Sequence, residues 1–221
     1  MPETTLEDYL SATRLCDIHH PLIRETATKI REEAKTVKET AIKIFYFTRD
    51  AIPLAFVDPI TAASETLRIK KGSCLTKATL QVALLRAAGI PARFRVMEFK
   101  GNDPREWEGI LPSFAIRRLP ERWLHYFVEV YIDGRWIKAD ATFDQALIPD
   151  IMDWDGERDV YALEDNAILT DIGAFASIEQ GARKLDELYR APIFLGMNSY
   201  RFLWLLNLYL KIQRFKNKLK S

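Results

Sequence analysis

Residues 125–142 read HYFVEVYIDGRWIKADAT, two apolar runs joined by Asp133-Gly134. Asp-Gly between such runs is the strongest short hairpin signal, so strands are expected over 125–132 and 135–142. A two-residue turn fixes the register. Val130 then faces Ile137, Val128 faces Ala139, and Glu129 sits opposite Lys138. An apolar face and one opposite-charge pair both come out of that register, which supports it. His125 falls opposite Thr142 and Phe127 opposite Asp140, so His125 and Asp140 are diagonal neighbours on one face, about 7–8 Å apart at the backbone. A carboxylate at that distance can reach an imidazole, fix its tautomer and stabilise its protonated form.

Upstream, Gly72-Ser73-Cys74 opens a strong helix over residues 74–88, closed by Gly89 and Pro91. Its apolar residues lie on more than one side, so a central, buried position is expected. Cys74 stands at its start. A free thiol has a pKa of about 8.5, but a helix N-terminus and a nearby imidazolium both favour the thiolate. Cys74, His125 and Asp140 together therefore form a candidate nucleophile, base and orienting carboxylate. Gly72 is expected to leave room for a sharp turn and for substrate.

The rest of the chain reads as follows. Thr4 or Thr5 caps a short helix to about residue 12. A long amphipathic helix covers 22–48 and stops before Pro53. A short helix lies near 62–67 and a strand over 92–99. Residues 101–123 form an excursion, 145–171 are loop-like, and the remainder is helical. The segment 144–171 holds nine acids against Arg158; it either rims a cleft and disfavours acidic substrates or is a solvated loop.

The 221 residues include five Trp, eight Tyr and twelve Phe, enough for a real core, which excludes disorder as the main theme. The net charge of +1 makes the chain a poor nucleic-acid binder. Two cysteines do not make a disulfide scaffold. The acidic, polar start MPETTLEDYL does not read as a signal peptide. A cytoplasmic protein with reduced thiols is expected.

These blocks resemble the transglutaminase-like superfamily of cysteine enzymes. The resemblance rests on Gly72-Ser73-Cys74 followed by Ala78, Leu84-Leu85-Arg86-Ala87 and Gly89-Ile90-Pro91-Ala92-Arg93, then on His125 to Tyr131, Asp133-Gly134, Trp136 and Asp140-Ala141-Thr142, with Phe47-Thr48-Arg49-Asp50 upstream. It implies an α+β, papain-like fold: a helix carrying the cysteine packed on an antiparallel sheet, with extra helices at both termini. A single domain is expected over 1–221, with its core at about 22–145 and a helical elaboration at about 172–221. It also implies a thiol attacking a carboxamide, with Cys74 as nucleophile, His125 as base then acid, and Asp140 as orienter. Peptide or other amide bonds are the expected substrates, and no metal or organic cofactor is required. Hydrolysis is the default; transamidation uses the same triad, and a non-catalytic scaffold is the rival. Phe127 and Ala141 stand where many members have Trp and Pro. The Cys74 N–H is the obvious oxyanion donor. A second is unassigned, because Arg68 occupies a position where papain-type enzymes carry Gln.

Three features lie outside that resemblance. Cys16, Asp17, His19 and His20 crowd together, but no second cluster completes a four-ligand metal set. Asp153-Trp154-Asp155-Gly156 resembles part of a calcium loop without its terminal Glu, and reads as a solvated turn. Residues 202–210 (FLWLLNLYL) are apolar all round and are followed by Lys211, Arg214, Lys216, Lys218 and Lys220 without an acid. Leu208, Ile212, Phe215 and Leu219 form a seam at helical spacing. Nine apolar residues cannot span a bilayer. The seam suits core packing or self-association, or attachment to an anionic membrane surface.

Overall fold

The computed structural model describes residues 5–103, 107, 110–117, 119, 121–162, 167–181 and 199–220. The helices are α1 (Pro21–Glu32), α2 (Val37–Tyr46), α3 (Ala63–Ile69), α4 (Cys74–Ala87), α5 (Ser113–Ile116), α6 (Ile178–Gly181) and α7 (Ser199–Lys218). The strands β1 (Ala92–Lys100), β2 (Arg122–Ile132), β3 (Arg135–Lys138) and β4 (Ile168–Phe175) make one antiparallel sheet in the order β3-β2-β1-β4.

Helix α4 is the centre. Every residue from Leu75 to Arg86 is buried, as its apolar content on several sides requires. Its polar side chains are satisfied internally. Thr79 donates to the Leu75 carbonyl, Gln81 to that of Ala139 and Arg86 to that of Ala92. Gly89 takes φ +82, the left-handed C-cap that glycine adopts without strain. The inner sheet face (Phe94, Val96, Tyr126, Val128, Val130) and α1 (Ile23, Ala27, Ile30) close the main core around α4.

The hairpin has the expected register, with Glu129 opposite Lys138 and Val130 opposite Ile137. Asp133 (φ +51) and Gly134 (φ +84) both occupy the positive-φ positions of the turn. The second strand is shorter than expected. After Lys138 one more bond forms, from the Ala139 N–H to the Val128 carbonyl, and the chain then leaves the ladder to bridge Val160.

Other expectations fail for identifiable reasons. The long helix over 22–48 is two helices. Thr36 is extended (φ −137, ψ 162) and its hydroxyl accepts the Glu39 N–H, capping α2 afresh. Residues Phe47–Ala51 then form a single π-type turn. The short helix expected to about residue 12, with Thr4 or Thr5 as its cap, is only a 3-10 turn at Asp8–Leu10, where Tyr9 packs edge-on against Trp136. Strand β4 replaces loop and helix at 168–175, pairing along β1 with two register shifts. Trp154 is not part of a solvated turn: its ring is buried against Phe45.

A second apolar cluster (including Leu54, Phe99, Trp107, Leu147, Leu206 and Leu210) lies where α7 meets the body. The expected seam Leu208, Ile212, Phe215 and Leu219 is exposed. The apolar-all-round sequence left the rotation of α7 open, and its polar residues settle it. Asn207 bonds both the N–H and the carbonyl of Phe56, Asn217 donates to the carbonyls of Ala146 and Leu147, and Arg214 grips Asp144.

Candidate active site

Cys74 is the first residue of α4. Ser73 caps the helix reciprocally: its hydroxyl accepts the Thr76 N–H, while the Thr76 hydroxyl accepts the Ser73 N–H. Behind them Gly72 is held by a short bridge to residues 53–55, with its N–H on the Pro53 carbonyl and its carbonyl taking the Ala55 N–H. Space at Gly72 is not left for substrate. A Cβ there would meet the Thr76 hydroxyl at 2.6 Å and the Lys77 side chain at 3.0 Å. Cys74 is partly exposed, whereas Cys16 is fully buried and burial pushes its thiol up to about 12.

His125 lies on β2, buried, with Nε2 at 2.6 Å from Asp140 Oδ2. Burial alone would disfavour a charged ring. The negative charge and hydrogen bond of Asp140, with a smaller contribution from Cys74, override it and push the imidazole up to about 10. Burial likewise opposes charge on Asp140, but the ring, the Thr142 N–H (3.0 Å) and the Ala162 N–H (2.9 Å) hold its carboxyl below the ordinary range. An ionised Asp140 can only accept, so Nε2 carries a proton towards it. Aromatic rings fix the imidazole plane: Phe127 stacks on it at 5.7 Å, Tyr161 stacks on Phe127, and Phe99 meets it edge-on at 6.3 Å.

The structure pairs two of the three side chains named from the sequence, His125 and Asp140, while their supports carried no such signal. Lys77, one helical turn from Cys74, is completely buried and donates to the Arg49 carbonyl at 3.0 Å. Burial pulls its amine down to about 7, against the charges of Asp144, Asp140 and Asp50. Arg49 is buried beneath Tyr46 and pairs with Asp50 and Asp153. Asp144 accepts the Leu54 N–H and is clamped by Arg214 at 2.6 Å, so α7 reaches the strap behind Gly72. Burial would raise the Asp144 carboxyl, but Arg214 holds it low. Arg68 does not act as the missing Gln: it pairs with Glu65 and faces solvent.

The other candidates have separate tasks. Asp17 accepts from the Ser64 hydroxyl and N–H, and His20 caps α1 by accepting the Leu22 N–H. Asp155 accepts the N–H groups of Glu157 and Arg158, and Asp153 pairs with Arg49. No cluster of three His, Cys, Asp or Glu side chains suited to a metal occurs among the described residues.

A buried helix that begins at a cysteine, laid on an antiparallel sheet bearing a paired histidine, defines the papain-like class of fold. The family model described as the transglutaminase-like superfamily matches residues 24–141, and the chain belongs to that superfamily. Among solved structures, a candidate cysteine protease from Cytophaga hutchinsonii superposes with a TM-score of 0.58 at 20% identity, covering 81% of this chain and 50% of that one. The chain therefore spans half the length of that protein. A candidate protease from Parabacteroides distasonis matches at 16% identity and a TM-score of 0.40, over 64% of this chain and 26% of that one. The transglutaminase of red sea bream matches at 13% identity and 0.42, over 64% and 32%. No curated protein sequence matches the chain.

Proposed function

We propose that the chain is a cysteine-dependent amide hydrolase acting on peptide or related amide bonds. The observation that carries this reading is the buried His125 ring, bonded at Nε2 to Asp140 and raised in basicity by both Asp140 and Cys74. The thiol proton passes to the His125 ring, leaving a nucleophilic sulfur at the start of α4. The sulfur attacks the amide carbonyl carbon, and the electron pair of the C=O bond moves to oxygen. The Cys74 N–H, unpaired at the helix N-terminus, is the donor available to that oxyanion. Collapse re-forms C=O and breaks the C–N bond as the imidazolium gives its proton to the departing amine. A thioester remains. Water then attacks as His125 takes its proton; collapse expels the sulfur as thiolate and releases the acid. Asp140 stays ionised throughout and keeps the ring oriented.

The test compares hydrolysis of coumarin-amide peptides and p-nitrophenyl esters by wild type, Cys74→Ala and His125→Ala. The proposal expects either substitution to reduce the rate by at least about 100-fold. Equal background rates in all three would instead make the chain a scaffold that retains the fold.

A further inference from the structure

The outward face of α7 is apolar and, among the described residues, uncovered. Trp204 is 62% exposed, Phe215 62% and Leu219 71%, with Leu205, Leu208 and Ile212 also in solvent. At about 100° per residue these six side chains fall within one arc of about 100° along a helix about 30 Å long. Lys211 borders one side of the arc, and Lys216 and Lys220 the other, all exposed. The sequence has no acidic residue from Ser199 to Ser221. We infer that α7 docks the protein onto an anionic lipid surface, lying in the plane of the head groups with its apolar arc in the acyl boundary.

Three observations select this occupant. The opposite face is committed to the body, by Leu206 and Leu210 in the second cluster and by the Asn207, Arg214 and Asn217 bonds. Rotation of the helix is therefore set before any encounter, and the arc faces outward. The charge pattern also argues against a second copy, because two such faces would bring lysine against lysine with no acid on α7 to pair them. Anionic head groups complement the exposed Lys211, Lys216 and Lys220, whose stems can extend to them while the rings and aliphatic chains sink. No described helix is long and apolar enough to cross a membrane, so the contact is peripheral.

Flotation of the full chain with phosphatidylcholine vesicles, with and without phosphatidylserine, tests the inference. Wild type is expected to rise with the anionic vesicles and much less with the neutral ones. Lys211→Gln/Lys216→Gln should weaken the partition about 30-fold. Trp204→Ser/Phe215→Ser/Leu219→Ser should abolish it with an unchanged melting temperature, because those side chains do not touch the core. Absence of flotation, equal flotation with both vesicle types, or undiminished flotation of the triple variant overturns it. A concentration-dependent dimer that the triple variant dissolves, without vesicle binding, assigns the face to a second copy and overturns it too.

Discussion

Asp140 reaches His125 from outside the hairpin ladder. The last paired residue of β3 is Lys138, and the Asp140 N–H bonds the Val160 carbonyl, yet its Oδ2 lies 2.6 Å from His125 Nε2. The carboxylate is thus held by three segments: its own turn at Thr142, the chain at Ala162, and β2 through the ring. Such over-determination is what fixes an imidazole when its partners must not drift.

The raised imidazole has a stability consequence. Its folded value of about 10 exceeds the ordinary 6.5, so the stabilisation is complete below pH 6.5 and is lost as pH rises through 10. Urea denaturation of wild type and His125→Gln should show the largest gap near pH 6 and a smaller one at pH 10. A gap constant across that window contradicts the assignment.

Lys77 carries the opposite sign. Its folded value of about 7 lies below the ordinary 10.5, so burial of the charged amine costs stability in full below pH 7, and the cost vanishes above 10.5. Relative to Lys77→Met, wild type should gain stability between pH 7 and 10, read by the same denaturation series. Parallel curves would place the amine in water.

Gly72→Ala should destabilise by about 1–3 kcal/mol, because the new methyl displaces the Thr76 hydroxyl from the Ser73 cap. The melting temperature reads the stability change. Iodoacetamide labelling of Cys74 should slow at the same time, since the start of α4 shifts with its cap. Unchanged labelling would detach the cap from the site.

Arg214→Met leaves Asp144 buried without its cation, at a cost of about 3 kcal/mol. The melting temperature should fall by about 10 °C. A change within 1–2 °C would mean that α7 is not braced through this pair.

The hairpin was legible because its signals are local. Asp133-Gly134 dictates the turn, and the turn dictates which residues of β2 and β3 meet. The start of α4 was legible for the same reason, in Ser73 and Gly89. Strand β4 was not, since it is a half-exposed edge carrying Asp171 and Gly173 and its pairing with β1 is interrupted twice. The break at Thr36 was written in Thr36-x-x-Glu39, but the apolar period running through both helices masked it. The proximity of His125 and Asp140 followed from a register that stops short of them; the contact survives because Val160 and Ala162 return the chain, a non-local fact. Lys77 gave no sequence sign of burial, because its acceptor is a carbonyl 28 residues away. Family resemblance fixed the fold, while the rotation of α7 depended on hooks from Phe56, Ala146 and Leu147 that no helical period reveals.

The central claim is that Cys74 is the nucleophile. Rapid quenching in acid during turnover of an activated ester, followed by mass spectrometry of the digested protein, tests it most directly. The account expects one acyl group in thioester linkage on the peptide bearing Cys74, absent in Cys74→Ala and strongly reduced in His125→Ala. An acyl group on Cys16, whose buried thiol is pushed up to about 12, or no adduct while substrate is consumed, would contradict it.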